Sequence, residues 1–392
     1  MLKPDLATLN TTWNYPTTML FGAGSLRKAA RACENAGISR PLVVTDPGLA
    51  KLPVTERLLE VLREAGLEPG LFTDVRPNPV DANVTAGVAA FAAGGHDGVV
   101  ALGGGSALDT GKVIAFMAGQ TRPLWDFEDI GDWWKRADAE AIRPIVAIPT
   151  TAGTGSEVGR AGVITDSATH TKKIIFHPLM MPKTAILDPE VTAGLPPHLT
   201  AATGMDALAH CLEAYCVPAY HPMADGIAVE GIRLVKEALP RAFAHGSDLE
   251  ARGMMLTASA MGAVAFQKGL GAIHSLSHPI GAIHDTHHGL TNAVVMPYVL
   301  LFNRRMIEPR IERLAAWLGI AGGFDGFLGW IVALRAELGI PHTLKALGVP
   351  TDRFDDLAAM AIEDPTAGGN PEPLDLAAAT RLLAEAYSGV GV

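Results

Sequence analysis

The sequence predicts a parallel α/β domain over residues 1–189 followed by an all-helical domain over residues 190–392. Two observations carry this. In the first half, short apolar runs rich in Val and Ile alternate with stretches of helical length, as in a parallel sheet covered by helices on both faces. From about residue 190 the apolar residues keep a helical period and no strand-like run is read. A chain of 392 residues suffices for two cores, and 48% hydrophobic with 18% charged residues is a globular composition.

The elements follow in order. TTWNYPTTMLFGAG reads as an extended arm ending in a glycine turn, and SLRKAARACENAG as a helix with Ser25 as N-cap and Gly37 as its stop. PLVVTD (41–46), LFTDV (71–75), GVVALGGG (98–105) and PIVAIPTT (144–151) read as strands. TERLLEVLREAG (55–66), NVTAGVAAFAAGG (83–95) and residues 107–117 read as the helices between them. Beyond a break at Asp188-Pro189, HLTAATGMDALAHCLEAYC, MADGIAVEGIRLVKEAL, EARGMMLTASAMGAVAF, IERLAAWLGI, FLGWIVALRAELGI and AAATRLLAEAYSGVGV read as helices.

Composition excludes several classes. A net charge of −10 argues against a nucleic-acid surface. No apolar run approaches the roughly 18 residues of a membrane span, and MLKPDLATLN lacks the basic and apolar regions of a signal peptide. Three cysteines, Cys33, Cys211 and Cys216, form no paired framework, so a cytoplasmic location is expected.

Ligands of such sheets sit beyond the carboxyl ends of the strands. At one such end lies GGGSALDTGK (103–112), whose glycines let a backbone approach a pyrophosphate before a helix N-terminus. It matches neither GxGxxG nor the P-loop, and a purely structural turn is an equal reading. PTTAGTGSE (149–157) adds hydroxyls beside accessible glycines. Asp46 ends the first core strand, where an acid would bond a ribose diol and repel a 2′-phosphate; a turn cap is the competing reading.

The second half carries a histidine-rich stretch, GLGAIHSLSHPIGAIHDTHHG (269–289), with His274, His278, His284, His287 and His288. His274 and His278 share a helical face at i,i+4, and the following Asp-Thr is expected to let a later histidine return from a loop. Upstream, Asp206 and His210 in TAATGMDALAHCLEAY are also four apart. An acid and imidazoles are typical ligands of Zn²⁺ or Fe²⁺, so the two segments together suggest a site of three or four protein ligands with a position open to substrate.

Taken together, YPTTMLFGAGSL, GGGSALDTGK, PTTAGTGSE, AILDP, GMDALAH and GLGAIHSLSHPIGA…HHG resemble the iron-containing (group III) alcohol dehydrogenases over nearly the whole chain. The resemblance implies a Rossmann-like N-terminal domain and an all-α C-terminal domain in a dehydroquinate synthase-like fold, with the active site in the cleft. It implies Asp206, His210, His274 and His288 as metal ligands for Fe²⁺ (or Zn²⁺), His288 taking that place because it precedes Gly289. It implies His278 as the proton-transfer residue, and Asp46, Asn78, Gly104, Gly105, Ser106, Thr150, Thr151, Thr154 and Lys173 as NAD-binding. The implied reaction is hydride transfer between NAD and a primary alcohol/aldehyde pair, by a homodimer. The competing readings are a hydroxyacid–oxoacid transhydrogenase that retains its nicotinamide, a lyase of the dehydroquinate synthase type, and a metal or nucleotide sensor. Lys268 departs from the family's small apolar residues and is expected at the surface.

Overall fold

The computed structural model describes Tyr15, residues 17–169 and residues 171–392. The start of the expected N-terminal arm, residues 11–14 and Pro16, lies outside the described residues. The chain divides into two compact units. One comprises Pro16–Leu195 together with Ser247–Leu256; the other comprises Pro196–Gly246 and Thr257–Val392, with Tyr15.

In the first unit, β1 (Thr18–Phe21), β2 (Pro41–Val44), β3 (Gly70–Phe72), β4 (Gly98–Gly103), β5 (Ile145–Pro149) and β8 (Thr184–Leu187) form one parallel sheet in the order β1-β8-β5-β4-β2-β3. A separate antiparallel hairpin joins β6 (Ala161–Asp166) to β7 (Thr171–Phe176). The strands alternate as a pleated chain must. Val43, Val100, Leu102, Val146 and Ile148 pack on α1 (Ala29–Asn35) and α2 (Pro53–Glu64). Leu42, Val44, Val99, Ala101 and Ala147 point the other way, toward α3 (Asp81–Ala93) and α4 (Gly105–Met117). Both faces are therefore apolar, which is why these strands read as unbroken hydrophobic runs. The chain runs outward from β2 to β3 but in the opposite direction from β4 to β5, so the crevice beyond the ends of β2 and β4 is the switch point of the sheet.

One cap differs from expectation. Gly24, not Ser25, precedes the first helical turn, and Ser25 is buried. The carboxylate of Asp188 accepts the N–H groups of Gly24 and Leu26 at 3.1 and 2.8 Å, capping the turn from the far end of β8. Gly37 ends the segment at φ +74°, a left-handed conformation that suits glycine. Ser247–Leu256 belongs to this unit by close approach: a Cβ on Gly253 would lie 3.2 Å from the Phe21 ring, and Arg252 donates to the Leu195 carbonyl at 3.2 Å.

Glu157 is buried beneath the second glycine turn at 1% exposure. Burial pushes its carboxyl from 4.5 up to about 7, with nearby Lys112 opposing the shift. A carboxyl raised in the folded state stabilises fully below pH 4.5, and that contribution is lost as pH rises through about 7. The amplitude is on the order of 3 kcal/mol. Glu157→Gln is therefore expected to gain melting temperature relative to the parent between pH 5 and pH 8; parallel curves across that range would show that Glu157 stays ionised.

The second unit is helical: α5 (Pro197–Cys216), α6 (Pro222–Ala244), α7 (Leu249–Ala265) from Thr257 on, α8 (Ala272–His284), α9 (His288–Trp317), α10 (Gly323–Glu337), α11 (Phe354–Glu363) and α12 (Leu376–Ser388). Among the described residues no helix is long and apolar enough to cross a membrane.

Candidate dinucleotide cradle and candidate metal centre

The cradle lies at the switch point of the sheet. Gly104 is the N-cap of α4 and has no side chain to occupy the free N–H groups of the first turn, which stay available to an anion. The turn after β5 packs directly against it. A Cβ on Gly104 would meet the Thr151 hydroxyl at 3.3 Å, and one on Gly105 would meet the Thr154 methyl at 2.7 Å. Thr150 donates its N–H to the Gly103 carbonyl at 2.9 Å. Ser106 donates its hydroxyl to the Pro77 carbonyl, which ties the Asn78 loop to the same helix start.

Asp46 satisfies both sequence readings at once. Its Oδ1 accepts the N–H groups of Gly48 and Leu49, each at 2.9 Å, as a turn cap does. Its Oδ2 lies 4.0 Å from where a Cβ on Gly103 would stand, beside the glycine turn. Lys173 is engaged on the β6–β7 hairpin: its ammonium pairs with Asp166 at 3.0 Å and Glu128 at 3.4 Å, over the Trp125 ring. The hydrogen bond to Asp166 raises the ammonium above its ordinary range.

In the helical unit, α5 presents Asp206 and His210 one turn apart, both buried, and α8 presents buried His274 and part-buried His278, also one turn apart. Asp206, His210 and His274 place ligand atoms within 4.8 Å of one another. His288 returns after the non-helical break at 285–287, on the first turn of the next helix rather than on the loop itself. Asp285 takes a left-handed conformation at φ 52° and closes α8, and His288 is the first residue of α9. Its Nε2 stands 3.5 Å from Asp206 Oδ1, and His274 Nε2 stands 3.9 Å from the same oxygen. The glycine after His288 makes this approach feasible: a Cβ on Gly289 would sit 2.1 Å from the Ala202 carbonyl oxygen of α5.

Supporting groups fix the imidazoles. Glu213, on α5, accepts from His274 Nδ1 at 2.5 Å and from the Ile273 N–H at 2.7 Å. Burial pushes Glu213 up to about 7, with backbone hydrogen bonds opposing the shift. Burial, reinforced by neighbouring His210, holds the His274 imidazole well below its ordinary value, so it is neutral. The proton on Nδ1 leaves the Nε2 lone pair facing Asp206, the arrangement of carboxylate-supported metal histidines. His278 stacks on His288 at 5.3 Å between ring centres and bonds Asp364 through Nδ1 at 2.8 Å. Burial pushes Asp364 up, but hydrogen bonds from His278 and Thr366 outweigh it and hold the carboxyl below its ordinary value.

One carboxylate and three imidazoles, all but the part-exposed His288 buried, fit a first-row divalent cation. Glu213, Asp364 and Asn292 were not read from the sequence. Glu213 sits three residues after His210 and Asn292 four after His288, each about one helical turn on, whereas Asp364 shows no local signal. Lys268 is not a surface residue. Its side chain is fully buried, and its ammonium pairs with Asp225 at 2.6 Å, an oxygen it shares with Arg310.

Comparison with known proteins covers both units. Residues 16–189 match the model of the iron-containing alcohol dehydrogenase family, and residues 200–387 match its C-terminal domain. The chain is 41% identical over 373 residues to 4-hydroxybutyrate dehydrogenase of Cupriavidus necator, covering 93% of this chain and 96% of that protein. A crystal structure of 1,3-propanediol oxidoreductase superposes with a TM-score of 0.91 at 35% identity, over 96% of this chain and all of the other. Sulfoacetaldehyde reductase from Bifidobacterium kashiwanohense, solved with NAD⁺, gives 0.88 at 29% identity, over 97% of this chain and 100% of that one.

Proposed function

The chain belongs to the iron-containing alcohol dehydrogenase family, and on that premise we propose that Asp206, His210, His274 and His288 hold its metal, Fe²⁺. The protein is a metal-dependent oxidoreductase that transfers a hydride between NAD and an alcohol/aldehyde pair. Its named relatives are dehydrogenases and reductases, so the lyase and transhydrogenase readings are not favoured. The observation carrying the ligand assignment is the convergence of Asp206 Oδ1, His274 Nε2 and His288 Nε2, with the His274 tautomer set by Glu213.

The residues then divide the work. Residues 1–189 hold the dinucleotide and residues 190–392 the metal. The first turn of α4, with Gly104, Gly105 and Ser106, takes the pyrophosphate. Asp46 Oδ2 takes the ribose diol and disfavours a 2′-phosphate, and Asn78, Thr150, Thr151, Thr154 and Lys173 complete the NAD site. When bound, the cation polarises the alcohol or carbonyl oxygen. His278 carries the hydroxyl proton at Nε2, because Asp364 holds its Nδ1. The three free, buried cysteines support a cytoplasmic enzyme. β1, an edge strand with Phe21 54% exposed, supports a homodimer joined through its N-terminal strands.

The test is NAD⁺ reduction at 340 nm on chelator-stripped protein with Fe²⁺ or Zn²⁺ restored, across primary alcohols, diols and hydroxy acids. Turnover is expected only after metal is restored, highest with Fe²⁺, and with NAD⁺ preferred over NADP⁺. Full turnover by stripped protein would overturn the ligand assignment, and higher turnover with Zn²⁺ would overturn iron.

A further inference from the structure

Asn292 lies on α9 one turn after His288, fully buried, and its carboxamide faces the ligand cluster. Its Nδ2 donates to Asp206 Oδ1 at 2.8 Å and stands 3.3 Å from His274 Nε2 and 3.1 Å from His288 Nε2. Both of those nitrogens are lone-pair ends. His274 gives its Nδ1 proton to Glu213, and His288 Nδ1 faces the Ser277 hydroxyl oxygen at 3.4 Å, whose own proton goes to the His274 carbonyl. One amide nitrogen with two protons therefore sits among three acceptors, each implied as a metal ligand.

The other end of the carboxamide is bare. Asn292 Oδ1 is buried with no hydrogen-bond partner. A buried amide kept only for packing would satisfy both ends, since an unmet buried acceptor is costly. The side chain is arranged for its donor end alone.

We infer that Asn292 is a positioning residue of the metal centre: its N–H groups gather Asp206, His274 and His288 before the ion arrives and keep the Asp206 carboxylate oriented afterwards. This rests on the ligand assignment proposed above. Without the donor, three lone pairs face one another across the site, and the ligand atoms drift apart.

The experiment measures Zn²⁺ affinity by competition with a chromophoric chelator, on metal-stripped parent, Asn292→Ala and Asn292→Leu. Leu keeps the side-chain volume where Ala leaves a cavity, so a loss common to both traces to the donor. Both variants are expected to bind Zn²⁺ about 10- to 100-fold more weakly, the usual cost of losing an outer partner of a metal ligand. NAD⁺ binding should stay unchanged. Affinities within threefold of the parent in either folded variant would overturn the inference while leaving the ligand assignment standing. A parent that binds no metal would overturn both. Should neither variant fold, crystal structures of stripped and loaded parent decide: Nδ2 within hydrogen-bond distance of Asp206 in both supports the inference, and an amide turned away in either sinks it.

Discussion

His274→Ala is expected to leave a folded protein that binds NAD⁺ normally, carries no metal and turns over at least ~10³-fold more slowly. Electrophilic assistance by a cation contributes several kcal/mol at the transition state, and about 1.4 kcal/mol is a factor of ten in rate. His274 is central to the cluster: it stacks on His210 at 4.6 Å, lies 5.2 Å from His288 and is anchored by Glu213. Its loss removes one donor and leaves the Glu213 carboxyl without its imidazole. That carboxyl is already raised to about 7, so it protonates rather than remaining a buried unpaired charge. The dinucleotide site is built from residues between 46 and 173 of the other compact unit and should not respond. Metal content per chain, NADH formation and NAD⁺ binding by fluorescence separate the three effects. Full activity with metal retained would remove His274 from the ligand set.

Gly289→Ala, a single methyl group, should be nearly as damaging to the metal centre. The added carbon would lie 2.1 Å from the Ala202 carbonyl oxygen and 3.2 Å from Asp206 Cβ. The first clash is with backbone, so no rotamer relieves it; α5 and α9 must separate by about an ångström. Overpacking of this kind costs about 1–3 kcal/mol or more of stability. A shift of about 1 Å between reacting or liganding groups can cost on the order of 10² in function. The variant is expected to melt lower than the parent and to bind Zn²⁺ about 10²-fold more weakly, because the separation falls between His288 and Asp206. A loss of melting temperature with unchanged affinity would mean that the helices yield elsewhere.

These two positions also show what the sequence could reveal. Pairs at i,i+4, such as Asp206 with His210 and His274 with His278, follow from helix geometry and were legible. The resemblance chose His288 over His287 through Gly289; His288 Nε2 stands 3.5 Å from Asp206 Oδ1, and its place at the start of a helix was not legible. The core strands were legible because both faces of β2, β4 and β5 are covered and their runs are unbroken. The β6–β7 hairpin was missed because TKKIIF puts two lysines into a strand of middling burial. Asp364 reaches His278 from 86 residues away and Asp188 caps the Gly24 turn from 164 away, and no local pattern announces such partners. Lys268 was misplaced for the same reason: its carboxylate partner, Asp225, lies 43 residues upstream.

The strip Ser247–Leu256, which completes the α/β unit from within the helical half of the chain, bears on how the protein is made. When Leu195 leaves the ribosome, that unit still lacks the segment that packs beside Phe21 and bonds the Leu195 carbonyl. Residues 196–246 must be synthesised first, on the order of 3–10 s at ordinary elongation rates. During that interval Phe21 and the Leu195 carbonyl lack these partners. A gene fragment ending at residue 195 would lack them permanently, whereas one extended through residue 256 would carry both.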